Sequence, residues 1–345
     1  MVSTSPAPLS WPFWERDIMS ILITSDLHFD EKIVNDGYHE KLSGFLREQQ
    51  TAHRANMLFI LGDFFSEHLD PHRRIAFKVL DAIADFFHSL DFEKIVILKG
   101  NHDESFIGHH NLKILSLDFR VQIIDTPTIV KINNIKFLFI PFCKDKDLFY
   151  SIIDQAEGGE NVIALIHQPI VGFRVSAKHA CTNGIDSNKL HKFALVVAGD
   201  FHDYQSQGNV VFIGSPYQVR RDEDLKKFMM SISDDRVSLI ELPVALSQRF
   251  IFVENATQID QLGDLRGKIV VVSEDVDIDK INQLRDKGVK IVSSKALMKE
   301  SAPVVEVDLS SFSVNLLKSA VERMTDPYMK AVGQDLLERI GYGSS

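Results

Sequence analysis

The 345-residue sequence is poor in cysteine, in long apolar runs and in positive charge. Its two cysteines, Cys143 and Cys181, exclude a disulfide framework, so a reducing cytoplasm is the expected location, the host cytoplasm if the protein is viral. No apolar run approaches the ~18 residues of a membrane-spanning helix, so no membrane partner is expected. A formal net charge of -10 argues against nucleic-acid binding by bulk electrostatics, so such binding must be local, metal-assisted or shared with a partner.

Short apolar runs rich in β-branched residues are frequent in the first two thirds of the chain. Five of these runs predict buried strands, at residues 21–25, 57–61, 95–99, 162–166 and 194–198. Between the second and the third, residues 71–90 carry apolar side chains at helical spacing, which predicts a helix. The alternation indicates a layered α/β fold, in which ligands gather beyond the carboxyl ends of the strands.

The pattern changes after Leu242-Pro243. Two strand-like runs, 268–273 and 289–294, flank a stretch with helical spacing, and another strand-like run follows at 304–309. Together these runs predict a small α/β module over about residues 244–310.

The two ends of the chain have compositions of their own. Residues 311–345 place apolar side chains on two helical faces separated by Asp326-Pro327, which predicts a helical hairpin. Residues 1–18 are rich in Ser and Pro and lack the apolar core of a secretory signal, so they predict a flexible extension, with Met19 as an alternative start of translation. The large domain is then expected over residues 19–243.

Polar residues that suit a divalent cation follow each of the five predicted strands. They belong to the motifs Asp-Leu-His, Gly-Asp, Gly-Asn-His-Asp, His and Gly-Asp-Phe-His, and comprise Asp26, His28, Asp63, Asn101, His102, Asp103, His167, Asp200 and His202. Any one of these motifs alone would be explained as a turn cap or a packed histidine. Because capping gives no reason for the same pattern at five strand ends, the sequence predicts one metal centre.

The residue types within these motifs also suggest roles. Asp63 follows a glycine that permits a sharp exit from the strand, and its two carboxylate oxygens can bridge two cations. The imidazole of His102 can act as a general acid, and the carboxylate of Asp103 can orient that imidazole.

This order of motifs resembles the calcineurin-like metallophosphoesterase superfamily over residues 21 to about 240. Within it, the Ile213-Gly214-Ser215-Pro216-Tyr217 turn, the small module and the terminal hairpin are similar to those of SbcD-type DNA repair nucleases and phage recombination nuclease subunits. The resemblance implies a layered metallophosphoesterase sandwich with a smaller α/β capping module that binds DNA. It also implies a C-terminal helical hairpin that docks an SbcC-type coiled-coil ATPase, although packing on its own domain is an equal alternative for the hairpin.

The resemblance further implies how two metal ions share the ligands. Manganese is the preferred ion of the family, and Mg²⁺ is an alternative. One cation would be held by Asp26, His28, Asp63 and His202. The second would be held by Asp63, Asn101, His167 and Asp200. His102 would protonate the leaving oxygen, and Asp103 would orient it.

Two positions depart from the family pattern. Asp200 stands where the family usually has histidine; a carboxylate is an acceptable manganese ligand, but the extra charge should lower the Lewis acidity of the second ion and alter or abolish activity. Ser66 stands three residues after Asp63, where many of the nucleases carry a histidine that positions substrate phosphate. We assign no catalytic role to Ser66 from the sequence.

Basic residues after the Ser-Pro-Tyr turn are candidate substrate contacts. Arg220-Arg221 and Lys226-Lys227 flank an acidic patch and could hold phosphates, and a solvated charged hairpin is the equal alternative. His109 and His110 are better explained as exposed loop histidines than as residues that line the substrate entrance.

Three functions are compatible with these observations. The first is the DNA nuclease subunit of an SbcCD-like recombination and repair complex that processes DNA ends. The second is a stand-alone phosphodiesterase or phosphatase that acts on nucleotides or phosphoproteins, and the third is a binding subunit with a degenerate metal site. Homodimer formation is left open.

Overall fold

The computed structural model describes residues 20–66, 75–104, 110–177, 179–233, 236–263, 265–273 and 276–293. Several features predicted from the sequence lie outside these residues. They are the extension at 1–18, Met19, His109, the strand-like run at 304–309 and the hairpin at 311–345.

Within the described residues, seventeen β-strands alternate with short helices and turns. The strands are β1 Ile21–Thr24, β2 Met57–Leu61, β3 Lys94–Leu98, β4 Val121–Ile124, β5 Thr128–Ile132, β6 Ile135–Ile140, β7 Gly159–His167, β8 Arg174–Ser176, β9 His179–Ala180, β10 Phe193–Gly199, β11 Gln205–Gln207, β12 Val210–Phe212, β13 Phe228–Ser233, β14 Arg236–Glu241, β15 Phe250–Val253, β16 Ile269–Val272 and β17 Lys290–Ser293. The five strands predicted from apolar runs are β1, β2, β3, β7 and β10, so that prediction is confirmed.

The same residues form seven α-helices. They are α1 Glu31–Asn35, α2 Tyr38–His53, α3 Phe77–Ser89, α4 Lys146–Gln155, α5 Val244–Ser247, α6 Ala256–Asp260 and α7 Ile278–Asp286. Two 3-10 helices lie at Asn111–Leu117 and Ser187–Leu190. Helix α3 confirms the helix predicted between β2 and β3.

Two six-stranded sheets form the main body of the fold. Their strand orders are β14-β13-β1-β2-β3-β4 and β11-β12-β10-β7-β6-β5. In the first sheet β1 to β4 run parallel, and in the second β6, β7, β10 and β12 run parallel, while antiparallel strands lie at the margins. The carboxyl ends of the parallel strands therefore share one edge within each sheet.

Successive side chains along each strand point to opposite faces of its sheet, so the apolar residues of one strand belong to separate cores. In β1, Leu22 packs with the residues of α2 and α3, whereas Ile23 packs with those of the second sheet. Between the sheets, the ring of Phe59 lies 5.7 Å from that of Phe137 and 5.2 Å from that of Phe139. Each fully buried phenylalanine contributes about 1.5–3 kcal/mol. The two sheets therefore pack face to face, and helices cover their outer faces, which confirms the predicted layered α/β sandwich.

A third sheet follows the sandwich in sequence. Its strands β15, β16 and β17 are parallel and pack with α6 and α7 around a core that includes Val253, Val270 and Leu284. It is joined to the loop before α2 through Asp36, a buried carboxylate that pairs with Arg249 and with Lys290. The strands and the helix predicted at 268–294 are confirmed, and the limits of the domains stay predictions. No helix in the described part of the chain has both the length and the apolar character needed to cross a membrane.

Candidate metal centre

Loops from both six-stranded sheets carry the candidate site residues at the carboxyl ends of their strands. The loops after β1, β2 and β3 of the first sheet carry Asp26, His28, Asp63, Asn101, His102 and Asp103. The ends of β7 and β10 in the second sheet carry His167, Asp200 and His202. Face-to-face packing of the sheets brings these loops together at one end of the sandwich.

The first group of donor atoms comes from Asp26, His28 and His202. One ligand atom from each residue lies within 4.8 Å of the others, and all three side chains are buried. The two Nε2 atoms of His28 and His202 are 3.0 Å apart. Asp63 Oδ2 lies 3.8 Å from His28 Nε2. Three of the four residues expected to hold one cation therefore converge, and Asp63 approaches them beside His28.

The second group of donor atoms surrounds His167. Its Nε2 lies 2.9 Å from Asn101 Oδ1, 3.3 Å from Asp63 Oδ1 and 3.9 Å from Asp200 Oδ1. Its Nδ1 donates a hydrogen bond of 2.7 Å to the carbonyl of Leu61. Because that bond fixes the orientation of the ring, Nε2 is the nitrogen that faces the site. The four residues expected to hold the second cation are also together.

Asp63 lies between the two groups and turns one carboxylate oxygen toward each. Oδ1 faces His167, and Oδ2 faces His28. This is the orientation of a bridging carboxylate. Asp26 also belongs to both groups, because its carboxylate lies within 4.8 Å of the donor atoms of Asp63 and His167 as well. The family resemblance implies, by contrast, that Asp26 binds only one of the two cations.

The charges of the centre favour a bound cation. Burial, together with the charges of Asp26 and Asp63, raises the pKa of Asp200 to about 6 against the attraction of His167 and His202. Burial alone would lower the pKa of His167, but the charge of Asp63 and the hydrogen bond to it raise that pKa well above its usual range. Buried carboxylates that repel one another are stabilised by positive charge. Oxygen and imidazole donors in this combination suit divalent cations.

Comparison with known proteins agrees with this geometry. A family model described as calcineurin-like phosphoesterase matches residues 19–204. The chain belongs to the calcineurin-like phosphoesterase family. No curated protein matches the sequence significantly. A solved structure described as "GAP50 the anchor in the inner membrane complex of Plasmodium" is similar to 66% of this chain and 85% of its own, at 12% identity and a TM-score of 0.42. A second solved structure matches 66% of this chain and 100% of its own, at 11% identity and a TM-score of 0.40.

Four candidate ligands of this phosphoesterase adopt a backbone conformation that non-glycine residues seldom take. Their φ angles are positive, at 54° for Asp26, 47° for His28, 49° for Asp63 and 99° for Asp200. Each such residue costs about 1–3 kcal/mol and persists where surrounding contacts hold it. Strain of this kind concentrates at functional sites, and here it coincides with the candidate ligands.

Hydrogen bonds hold the strained loop after β1 on every side. Asp26 N donates to the Gly62 carbonyl at 3.1 Å, and His28 N donates to the Asp63 carbonyl at 3.0 Å. The hydroxyl of Ser66 donates to the His28 carbonyl at 2.7 Å. Between the two ligands, the Leu27 carbonyl accepts from the hydroxyl of Tyr217. The Gly-Ser-Pro-Tyr motif noted in the sequence thus supports the loop that carries the candidate ligands Asp26 and His28.

Steric constraints require glycine at two positions of the phosphoesterase motifs. A Cβ at Gly62, whose φ is +88°, would lie 2.2 Å from His167 Nδ1. A Cβ at Gly100 would lie 2.2 Å from Asp63 Oδ1. Since real Cβ atoms do not approach other atoms this closely, these positions accept no larger residue while the ligands keep their places.

His102 lies at the rim of the centre, and its orientation differs from the prediction. Its Nδ1 donates to the carbonyl of Ser66 at 2.8 Å, and its Nε2 lies 4.0 Å from Asp63 Oδ2. Asp103 is buried, and its two oxygens accept hydrogen bonds from the backbone N–H groups of Phe65 and Gly100. The orienting role assigned to Asp103 is therefore corrected: the Ser66 carbonyl holds the Nδ1 of His102, and Asp103 holds two ligand loops against each other.

Glu223 is a residue of the centre that the sequence did not indicate. Its Oε1 accepts a 2.6 Å hydrogen bond from Nδ1 of His202. Burial raises the pKa of Glu223, but the hydrogen bond from His202 and the charges of His202 and Lys227 outweigh it and lower the pKa to about 2. Glu223 follows His202 by 21 residues in an acidic loop, and no local spacing connects the two.

The basic residues predicted as phosphate contacts fall into two classes. Lys227 is buried and bonds to Glu223, Asp203 and the His202 carbonyl, so its proposed contact with phosphate is corrected to a structural one. The side chain of Arg220 is 51% exposed, and its role and that of Arg221 stay predictions. His110 is not an exposed loop histidine, since its side chain is 11% exposed and Nε2 lies 3.0 Å from Asp125 Oδ2.

Proposed function

We propose that this phosphoesterase is a two-metal phosphodiesterase that processes DNA ends, as the nuclease subunit of an SbcCD-like recombination and repair complex. The convergence of two donor groups on Asp63, with His102 beside them, is the observation that supports phosphoester hydrolysis. When bound by these donor groups, two divalent ions would supply Lewis acidity and would lower the pKa of a water molecule.

Residues of the chain itself position the substrate and donate a proton to it. His102 donates from Nδ1 to the Ser66 carbonyl, so a proton carried on Nε2 points toward the space beside Asp63. Its side chain is 33% exposed, which lets a substrate oxygen approach it. In this arrangement His102 protonates the leaving oxygen as a general acid, and the Ser66 carbonyl stabilises the charged ring. Asp63 stays ionised because nearby histidines lower its pKa against the effect of burial.

The order of structural units supports DNA as the substrate class. The Gly-Ser-Pro-Tyr turn lies between β12 and β13 of the sandwich, and a small parallel sheet with helices follows the sandwich in sequence, as in the nuclease subunits that the sequence resembles. A net charge of -10 leaves little general attraction for DNA. A coiled-coil ATPase partner of the SbcC type would supply that attraction, and Arg220 and Arg221 would add local phosphate contacts beside the metal centre.

A nuclease assay tests the proposal. We expect Mn²⁺-dependent degradation of duplex DNA ends, stronger when a coiled-coil ATPase of the SbcC type is added. Turnover of small nucleotides or phosphoproteins with no action on DNA, even with the ATPase present, would identify a stand-alone phosphodiesterase or phosphatase instead. Protein that retains no Mn²⁺ after loading would identify a binding subunit with a degenerate site.

A further inference from the structure

We propose that Glu223 is a positioning residue for the metal ligand His202, and that Lys227 holds Glu223 in place for this task. The inference deepens the proposed function and rests on it through the metal centre. It concerns how strongly the centre holds its first cation, a property that can be measured without any substrate.

The contact between Glu223 and His202 determines which ring nitrogen faces the cation. Oε1 of Glu223 accepts from Nδ1 of His202 at 2.6 Å, and the two side chains are 6% and 8% exposed. With Nδ1 engaged in this bond, Nε2 is the nitrogen that remains for the cation, and it lies 3.0 Å from Nε2 of His28. A carboxylate bonded to the far nitrogen of a ligating histidine fixes the ring and makes it a stronger ligand.

Glu223 is itself held by donors on several sides. Its Oε2 accepts from Lys227 Nζ at 3.0 Å and from the Val219 backbone N–H at 2.9 Å. Its Oε1 also accepts from the Arg220 backbone N–H at 2.9 Å. These donors therefore fix the orientation of the carboxylate, and the carboxylate in turn fixes the orientation of the His202 ring.

Lys227 connects the same cluster to the backbone of the ligand. Its side chain is fully buried, and Nζ donates to the His202 carbonyl at 2.9 Å and to Asp203 Oδ1 at 3.1 Å. Glu223 and Lys227 thus fix both the ring and the main chain of His202. If Glu223 and Lys227 only stabilised the fold as a charge pair, a hydrogen bond from Glu223 to the His202 ring would not be required.

A double-mutant cycle separates positioning from simple structural support. Mn²⁺ affinity is measured by titration calorimetry, without substrate, for the wild type, Glu223→Gln, His202→Ala and the double variant. We expect Glu223→Gln to weaken the site that contains His202 by about 10–100-fold. In the His202→Ala background the same change should have no further effect, because Glu223 acts through the ring. A loss of equal size in both backgrounds, or no loss in either, would overturn the proposal.

Matched variants control for charge and for folding. Glu31→Gln breaks another Glu–Lys pair, the 2.5 Å contact with Lys78 on the surface, and should leave the affinity for Mn²⁺ unchanged. If Glu223→Gln unfolds because Lys227 is left unpaired, Glu223→Gln combined with Lys227→Met replaces both charges and serves in the cycle. Wild-type protein that binds Mn²⁺ but does not cleave DNA would contradict the proposed substrate and leave this inference standing. Wild-type protein that binds no Mn²⁺ would overturn both.

Discussion

The ligand loops of the two sheets are held in different ways. In the first sheet, the loops after β1 and β2 hold each other through main-chain hydrogen bonds, and three of their ligands have positive φ angles. In the second sheet, the imidazoles of His167 and His202 are oriented through Nδ1, by the Leu61 carbonyl and by Glu223. Neighbouring loops can thus position short carboxylates through the backbone. The imidazole rings of His167 and His202 reach the centre from the second sheet, and each is oriented by its own hydrogen-bond acceptor at Nδ1.

Asp63 lies in a first-sheet loop but faces both donor groups, so its loss should have the largest effect. Asp63→Ala removes the carboxylate that faces His28 and His167, and we expect loss of both ions and a fall in cleavage of more than about 10³-fold. Metal content after Mn²⁺ loading and dialysis, together with the cleavage rate, measures this. Asp154→Ala, which removes an exposed carboxylate near Lys189, is the control. Retention of two ions by the Asp63 variant would contradict the bridging role.

His102 tests whether catalysis and metal binding can be separated. His102→Ala should keep both ions, because the ring lies outside the two donor groups, and should lower kcat by about 10²–10⁴-fold. Cleavage rates and metal content are measured on the same preparation. His110→Ala removes an imidazole paired with Asp125 and should leave both properties unchanged. Full activity of the His102 variant would exclude its assigned role.

Gly100 tests the packing of the first-sheet loops against each other. Gly100→Ala places a methyl group 2.2 Å from Asp63 Oδ1, and we expect weaker Mn²⁺ binding and a destabilisation of about 1–3 kcal/mol. Gly44→Ala in α2 meets no atom within 4 Å and should instead stabilise the protein by about 0.5–1 kcal/mol. Chemical unfolding and titration calorimetry measure the two effects. Equal stability changes in the two variants would refute the steric argument.

Tyr217 tests the hydrogen bond that supports the strained loop after β1, and its effect on Mn²⁺ binding should be the smallest. Tyr217→Phe removes the bond to the Leu27 carbonyl and should cost about 1–3 kcal/mol of stability, with a modest loss of Mn²⁺ affinity. Tyr38→Phe removes a similar bond, 2.8 Å long, to the Gln248 carbonyl. That control should lower stability without changing metal affinity. The hydrogen bond of Tyr217 has no role in metal binding if both variants bind Mn²⁺ equally well.

Much of the fold and of the ligand set could be predicted because the signals were local. Buried parallel strands appear as short apolar runs, and the polar residues that end them follow directly in the chain. A usable signal for α2 was also present, since Tyr38, Leu42 and Phe45 are buried at helical spacing, but no helix was predicted there. Two antiparallel strands at the sheet margins were not predicted either: β5 alternates between buried and exposed residues, and β14 has no buried residue.

The sequence by itself determined which residues can bind metal and in what order they occur, because each ligand is set by the strand before it. Only the tertiary structure decided which atoms face each other. His28 and His202 are 174 residues apart, His102 and the Ser66 carbonyl 36, and His202 and Glu223 21. Those contacts depend on how two sheets pack and where their loops meet, and no spacing along the chain encodes that geometry.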